Sequence, residues 1–494
     1  MVFLIKALQL ILALSVLVLV HELGHFSFAR LFGVRVHKFY MFFNPKFSVF
    51  RAKKIGGKWQ FRFFAQNLPE HTIQAIDENG VPKTTKKGKP VMVPDDISKL
   101  DESDWRKYPQ TTEWGIGWVP FGGYCAIAGM VDETTTADEL PSEPERWEAR
   151  SRPAWQRFLI LIGGVLFNFI FATMVYAMLL FANGKEVLPI ENATLGYKYS
   201  NIALQNGFED GDIVIAVDNE SVVDAQDVVT KIIIEGKQNI SVLRSGSKLD
   251  FTLPKDFSEQ VIASDDKQLM SIIVPFVIDS VMDGSVAAKS GLQKGDSIVS
   301  VNGLNTVGVE SISEVFVKNA NRRIAISYYR NQNLMIDSIT PDTNGKIGVG
   351  LKPPYSIFKT KNKRYGFLAS LPAGVRMGCQ TMVSYVKQMR LVFTKAGAKS
   401  IGGFGSIGNL FPASWDWTIF WHMTALLSII LAFMNILPIP VLDGGYLLFI
   451  IYELITGKKP SDKFMEVSLN IGMFFIFALL IYANGNDLFK LFFD

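Results

Sequence analysis

Four stretches of this chain are too long and too apolar to have water as their solvent. Residues 1–20 carry one charge, Lys6. Residues 158–182 and 467–483 carry none, and 417–441 hold only His422 as a titratable group. A bilayer core asks for about 20 apolar residues per helix, with a range of about 17–25. Each run therefore predicts a transmembrane helix. A fifth run, 445–452, is too short to span and is expected to continue or fold back from the third helix. Composition agrees where it bears on the point. Hydrophobic residues make up 49%, Phe alone counts 38, and charged residues are 19%, below the roughly 25% typical of soluble domains. This apolar content excludes a disordered chain. Two cysteines exclude a disulfide framework. A net charge of +4 over 494 residues gives no basic face for nucleic acid, so the expected partner is the lipid bilayer.

The first run could be a secretory signal, but it has almost no basic leader and no small-residue cleavage site, and it passes directly into HELGHFSFAR. It reads as an anchor. Lys and Arg near the helix ends set orientation. Arg30, Arg35 and Lys38 follow the first run, Arg146, Arg150, Arg152 and Arg157 precede the second, and Lys458, Lys459 and Lys463 lie between the third and fourth. Residues 26–157 and 455–466 are therefore expected in the cytoplasm, and both termini outside. The basic stretch 359–399 pulls against this, from a distance at which the rule weakens. The same topology puts a bilayer between Cys125 and Cys379, which are expected not to pair.

The chemistry lies where the first run ends. His21-Glu22-Leu23-Gly24-His25 is H-E-x-x-H. On a helix it puts two imidazoles at i and i+4 on one face with a carboxylate beside them, a pattern that holds Zn²⁺ and offers a proton acceptor for the attacking water. The alternative is a structural histidine pair. At helical rise His21 lies about 28 Å along the run, near the cytoplasmic edge of a ~30 Å hydrocarbon core. Ionisable residues in such a segment are a functional hypothesis by default. The third run travels in the same direction and ends in Asn435-Ile-Leu-Pro438-Ile-Pro440-Val-Leu442-Asp443-Gly444-Gly445. Asp443 is about 39 Å along it, less if the prolines bend the path. An Asp-Gly pair alone is a turn signal. At the depth of the two histidines Asp443 becomes a third ligand, leaving the fourth position for water, as in catalytic zinc sites.

Between the second and third runs the chain repeats itself. ALQNGFEDGDIVIAVDN (203–219) and AAKSGLQKGDSIVSVNG (287–303) align at an offset that matches Gly207 with Gly291, Gly211 with Gly295 and Asp212 with Asp296. The period suits a duplicated small domain rather than a solenoid. Each copy resembles the core of a PDZ domain, in the circularly permuted form found in bacterial proteases. No histidine lies between His71 and His422, so the repeat offers no imidazole chemistry. It is expected to restrain access.

HELGH in the first transmembrane helix with N-x-x-P-x-P-x-L-D-G in the third resembles the site-2 protease family of intramembrane zinc metalloproteases, in its tandem-PDZ branch. The resemblance implies regulated intramembrane proteolysis in the bacterial inner membrane. Substrates would be single-pass membrane proteins already shortened outside, such as anti-sigma factors or remnant signal peptides. It also implies that Asn168, in Gly163-Gly164-Val165-Leu166-Phe167-Asn168-Phe169, helps position substrate. That segment is similar to the family pattern A-G-P-x-x-N-F and departs from it at Gly163 and Val165. A helix–helix hydrogen bond is the other reading of Asn168. Asn435 is implied to bind the substrate backbone. Residues 38–66 resemble the family's membrane-associated hairpin, which takes substrate as an added strand, and Gly402–Gly408 its Gly-rich lead-in to the third helix. The polar insertion at 67–110 departs from the family.

The expected fold class is a polytopic α-helical membrane protein with four transmembrane helices, two α+β PDZ-like domains and a membrane-associated β-hairpin. The first helix with HELGH takes 1–33, the cytoplasmic hairpin and loop 34–157, and the second helix 158–183. The PDZ-like domains take 187–272 and 273–353, and an external amphipathic helical segment 356–400. The Gly-rich lead-in and third helix occupy 401–455, and the fourth helix with the C-terminus 466–494. Two other functions compete. A catalytically silent PDZ-bearing scaffold would not need Glu22. A metal transporter would show polar residues repeated along several helices, and these are absent.

Overall fold

The structure, a computed structural model, describes residues 2–67, 72–74, 82, 92–94, 96–130, 144–264, 268–394, 397 and 401–493. Most of the 67–110 insertion lies outside the described residues. The chain forms two compact units. One comprises 1–182, 365–383 and 401–494; the other comprises 183–364 and 384–400.

Among the described residues of the first unit, four helices are long and apolar enough to cross a membrane. The first is Val2–Leu31. The second is Ala154–Asn183, preceded by Pro153, whose missing N–H costs nothing at a helix start. The third is Trp417–Ile436, capped by Asp416, whose side chain accepts from the Ile419 N–H at 2.9 Å. The fourth is Asp462–Phe493. The third helix does not continue to 455. It stops at Ile436, because a residue before proline is pushed out of helical geometry and Pro438 and Pro440 follow closely. A separate helix, Asp443–Thr456, begins after the turn and absorbs the short fifth run. The turn is tight: a Cβ on Gly444 would lie 2.1 Å from the Leu437 carbonyl oxygen. Val441 sits at φ +89°, a costly conformation for a β-branched residue.

The first and third helices share a core of Leu10, Ala13, Leu17, Phe420 and Leu427, with Phe411 of the lead-in. The second and third share Ala172, Val175, Tyr176, Ala425 and Ile429. Met174, Met178, Phe474 and Phe477 face outward, as suits helices solvated by lipid. The Gly-rich lead-in forms a short helix, Phe404–Gly408. Asp487 of the fourth helix holds its start, accepting from the N–H groups of Gly403 at 3.0 Å and Ser406 at 2.9 Å.

The expected hairpin over 38–66 is part of something larger. Strands Phe47–Ile55 and Lys58–Gln66 pair through the Gly56-Gly57 turn, but Val36–Phe43 does not pair with them. Strand Glu113–Ile116 lies between, parallel to Val36–Phe43 and antiparallel to Phe47–Ile55. Val119–Ile127 closes a five-stranded sheet. The inserted strand brings a carboxylate to buried partners. Tyr40 donates its hydroxyl to Glu113 at 2.5 Å, and Arg51 pairs with the same carboxylate at 3.7 Å. Burial and the Glu113 charge push the Tyr40 hydroxyl well above the ordinary phenol range. Just before this strand, Trp105 covers the polar side of the sheet. Arg51 and Arg62 stack on its ring at 5.5 and 4.4 Å, and buried Lys53 donates to its carbonyl at 2.9 Å. On the edge strand, Trp59, Phe61 and Phe63 alternate outward and exposed.

The second unit holds two separate cores. One gathers side chains from Ile190 to Leu269, the other from Phe276 to Ile347. The repeat seen in the sequence is structural. Arg244 grips buried Asp212 through Nε at 2.8 Å and Nη2 at 2.7 Å. Arg330 grips buried Asp296 with the same two distances. Neither Cys125 nor Cys379 is in a disulfide.

Candidate metal centre

Two glycine contacts let the first and second helices cross at the H-E-x-x-H segment. A Cβ on Gly24 would lie 2.2 Å from the Gly163 carbonyl oxygen, and one on Gly163 would lie 2.7 Å from that of Gly24. At Gly164 a Cβ would meet His21 Cε1 and His25 Nε2, each at 2.5 Å. Small residues at helix crossings allow such approach, and here they seat both imidazoles against the second helix.

That helix then orients the rings. His25 Nδ1 lies 2.9 Å from the Ile160 carbonyl oxygen. The carbonyl can only accept, so Nδ1 carries the proton and Nε2 is the free donor atom. His21 Nε2 points to the same place, 3.2 Å from His25 Nε2. The strained Pro438–Leu442 turn delivers Asp443 as the first residue of its helix. Asp443 Oδ2 lies 3.1 Å from His21 Nε2 and 3.5 Å from His25 Nε2. These three residues are the one His/Cys/Asp/Glu cluster with metal-ligand spacing among the described residues.

The donor set fits a tetrahedral cation. Ligand bonds of about 2.0–2.2 Å to zinc imply ligand–ligand edges of roughly 3.3–3.6 Å, against 3.1, 3.2 and 3.5 Å here. Asp443 Oδ2 is buried, yet no protein donor meets it in hydrogen-bond geometry. A buried carboxylate oxygen left so is expensive unless a cation completes it.

The other expected site residues are also close. Glu22 is half-buried on the same helix, at i,i+3 spacing from His25 and so on the same side. Asn435, in the last turn of the third helix, brings Nδ2 within 3.2 Å of His21 Nε2. Asn168 brings Nδ2 within 3.2 Å of His21 Nδ1, and its backbone oxygen accepts from Ser428 Oγ at 2.8 Å. Sequence reasoning missed the glycine crossing, the Ile160 carbonyl and the Val441 strain. Paired glycines inside apolar runs were the signal available for the first. The other two depend on tertiary geometry.

A metal-competent H-E-x-x-H site on membrane-spanning helices defines a membrane metalloprotease. The comparisons make the class specific. The profile of peptidase family M50 matches residues 9–66 and 104–479, passing over most of the 67–110 insertion. The chain belongs to that family, the site-2 proteases. It is 25% identical to the Regulator of sigma E protease of Haemophilus influenzae, over 97% of this chain and 98% of the relative. A protein of Ralstonia nicotianae named "Putative zinc metalloprotease RSc1411" is 27% identical, over 99% of both. Metalloprotease MmpA of Caulobacter vibrioides is 23% identical, over 98% of this chain and 96% of the relative.

Proposed function

We propose that the protein is an intramembrane zinc endopeptidase that cuts the membrane segments of single-pass proteins in regulated intramembrane proteolysis. The observation that carries this is the triangle of His21 Nε2, His25 Nε2 and Asp443 Oδ2, with sides of 3.1–3.5 Å. His21, His25 and Asp443 would hold Zn²⁺, the metal named for its relatives. Zinc bound there supplies an acidified water and polarises the scissile carbonyl. Glu22 acts as the general base: its carboxylate accepts the proton of the attacking water and returns it to the leaving amine. The Asn435 amide, 3.2 Å from His21 Nε2, would hold the substrate backbone beside the ligands. Such a substrate must first unwind, since a helix hides its carbonyls in i→i−4 bonds. Among the described residues the strand Lys58–Gln66 lies at the edge of its sheet, where an unwound segment would be received by strand addition.

The remaining assignments follow from the resemblance. The repeats are PDZ-like domains at 187–272 and 273–353, standing outside the bacterial inner membrane and restricting access. The substrates are trimmed anti-sigma factors or remnant signal peptides. The test is direct. The purified protein in vesicles is incubated with a single-pass substrate lacking most of its external domain, and the products are read by mass spectrometry. A chelator-sensitive cut inside the membrane segment is expected. A cut only in the flanking soluble sequence, or none in a zinc-loaded protein, contradicts the reading.

A further inference from the structure

Asn168 does not stand where a substrate-binding side chain would stand. It has 0% of its surface exposed, and its amide meets the first-helix histidine instead, 3.2 Å from His21 Nδ1. If His21 binds metal through Nε2, its neutral ring carries the proton on Nδ1, and that proton needs an acceptor. With the amide nitrogen facing a protonated Nδ1, two donors would oppose each other. Meanwhile Asn168 Oδ1 is buried with no hydrogen-bond partner. The oxygen and nitrogen of a side-chain amide are nearly alike in shape, so the hydrogen bonds around them decide which one faces Nδ1. Turning the amide over puts Oδ1 on the Nδ1 proton and trades a mismatched contact for a matched one.

Two further contacts keep the residue in place. Ser428 Oγ on the third helix donates to the Asn168 backbone oxygen at 2.8 Å. Gly164, one helical turn earlier, lets the second helix approach the ring. His25 has the matching arrangement on the same helix, with its Nδ1 on the Ile160 carbonyl. One helix therefore supplies the outer partner of both histidines, one from backbone and one from side chain.

We infer that Asn168 is a positioning residue of the metal centre: its side-chain oxygen accepts the His21 Nδ1 proton and holds the ring with Nε2 toward the metal. This rests on the reading of His21 as a ligand. Outer partners of this kind orient the ring and raise its basicity, and losing one typically costs 10–100-fold in metal affinity or activity.

The experiment uses the full-length protein in detergent, with zinc content measured after dialysis against a graded series of chelator concentrations and thermal unfolding measured in parallel. Asn168→Leu keeps the shape and the Ser428 bond to the backbone but has no acceptor. It should release zinc at 10–100-fold lower chelator strength while unfolding at nearly the parent temperature. Asn168→Asp keeps an acceptor and should hold zinc at least as firmly as the parent. A merely structural role would not produce that rescue. Asn168→Leu holding zinc like the parent overturns the inference. So does Asn168→Asp losing zinc while folded, which remains decisive if the Leu variant does not fold. A parent protein that binds no zinc removes the His21 reading itself, and the inference with it.

Discussion

The repeats and the metal centre both bury carboxylates, and they treat them in opposite ways. Asp296 is sealed by protein. Arg330 holds it with two bonds at 2.8 and 2.7 Å, and the Gln293 N–H adds a third at 2.8 Å. Asp212 has the same set from Arg244 and the Glu209 N–H. Asp443 faces two neutral-capable imidazole nitrogens and meets no donor at Oδ2. A buried acid whose hydrogen bonds are all made by the chain is part of the scaffold. A carboxylate whose buried oxygen the chain leaves short of donors, beside two aligned ring nitrogens, is the arrangement the proposed cation site requires.

That contrast can be broken by substitution. The largest effect expected is at the ligands. His21→Ala, His25→Ala or Asp443→Ala should lower zinc from one per chain to near none by elemental analysis, with little loss of folded protein. Equal zinc in all three would end the distinction. Next is Gly164→Ala, whose added Cβ would sit 2.5 Å from both rings. It should weaken zinc retention by about tenfold or more, the scale of a disturbed ligand orientation. Third is Asp296→Ala, which strands Arg330 and a backbone N–H. Breaking a buried pair costs about 3–5 kcal/mol; Arg330 is partly exposed, so we expect about 2–3 kcal/mol in chemical unfolding, with zinc content unchanged. Zinc loss in this variant would mean the two regions are not independent. Smallest is Lys198→Ala. It removes a 3.1 Å pair with exposed Glu310, worth about 0–1 kcal/mol, and should leave zinc and unfolding nearly as they were.

Much of this was readable in advance, for physical reasons. The spanning helices are set by continuous apolar runs, which lipid solvation reads directly. HELGH and Asp443 were legible because helical spacing fixes which side chains share a face, and because few titratable groups interrupt those runs. The repeat was legible in Gly207/Gly291 and Asp212/Asp296, and the Arg partners follow the same symmetry. The end of the third helix was not. Pro438 and Pro440 signalled a bend, but a full stop at Ile436 with a new helix starting on Asp443 depends on the Val441 conformation and the Gly444 contact. The sheet was also under-read, because strand Glu113–Ile116 joins from beyond an insertion and pairs non-locally. Asn168 was found by its motif, yet its partner His21 lies on another helix, where sequence spacing carries no distance.

The proposed zinc site of His21, His25 and Asp443 works through Glu22. Zinc content and cleavage of a trimmed single-pass substrate, measured side by side for the parent and Glu22→Gln, test it most directly. One zinc per chain is expected in both, with cleavage falling by about 10²–10⁴-fold in the variant, the usual scale for losing a general base. Cleavage at the parent rate in zinc-loaded Glu22→Gln would contradict it.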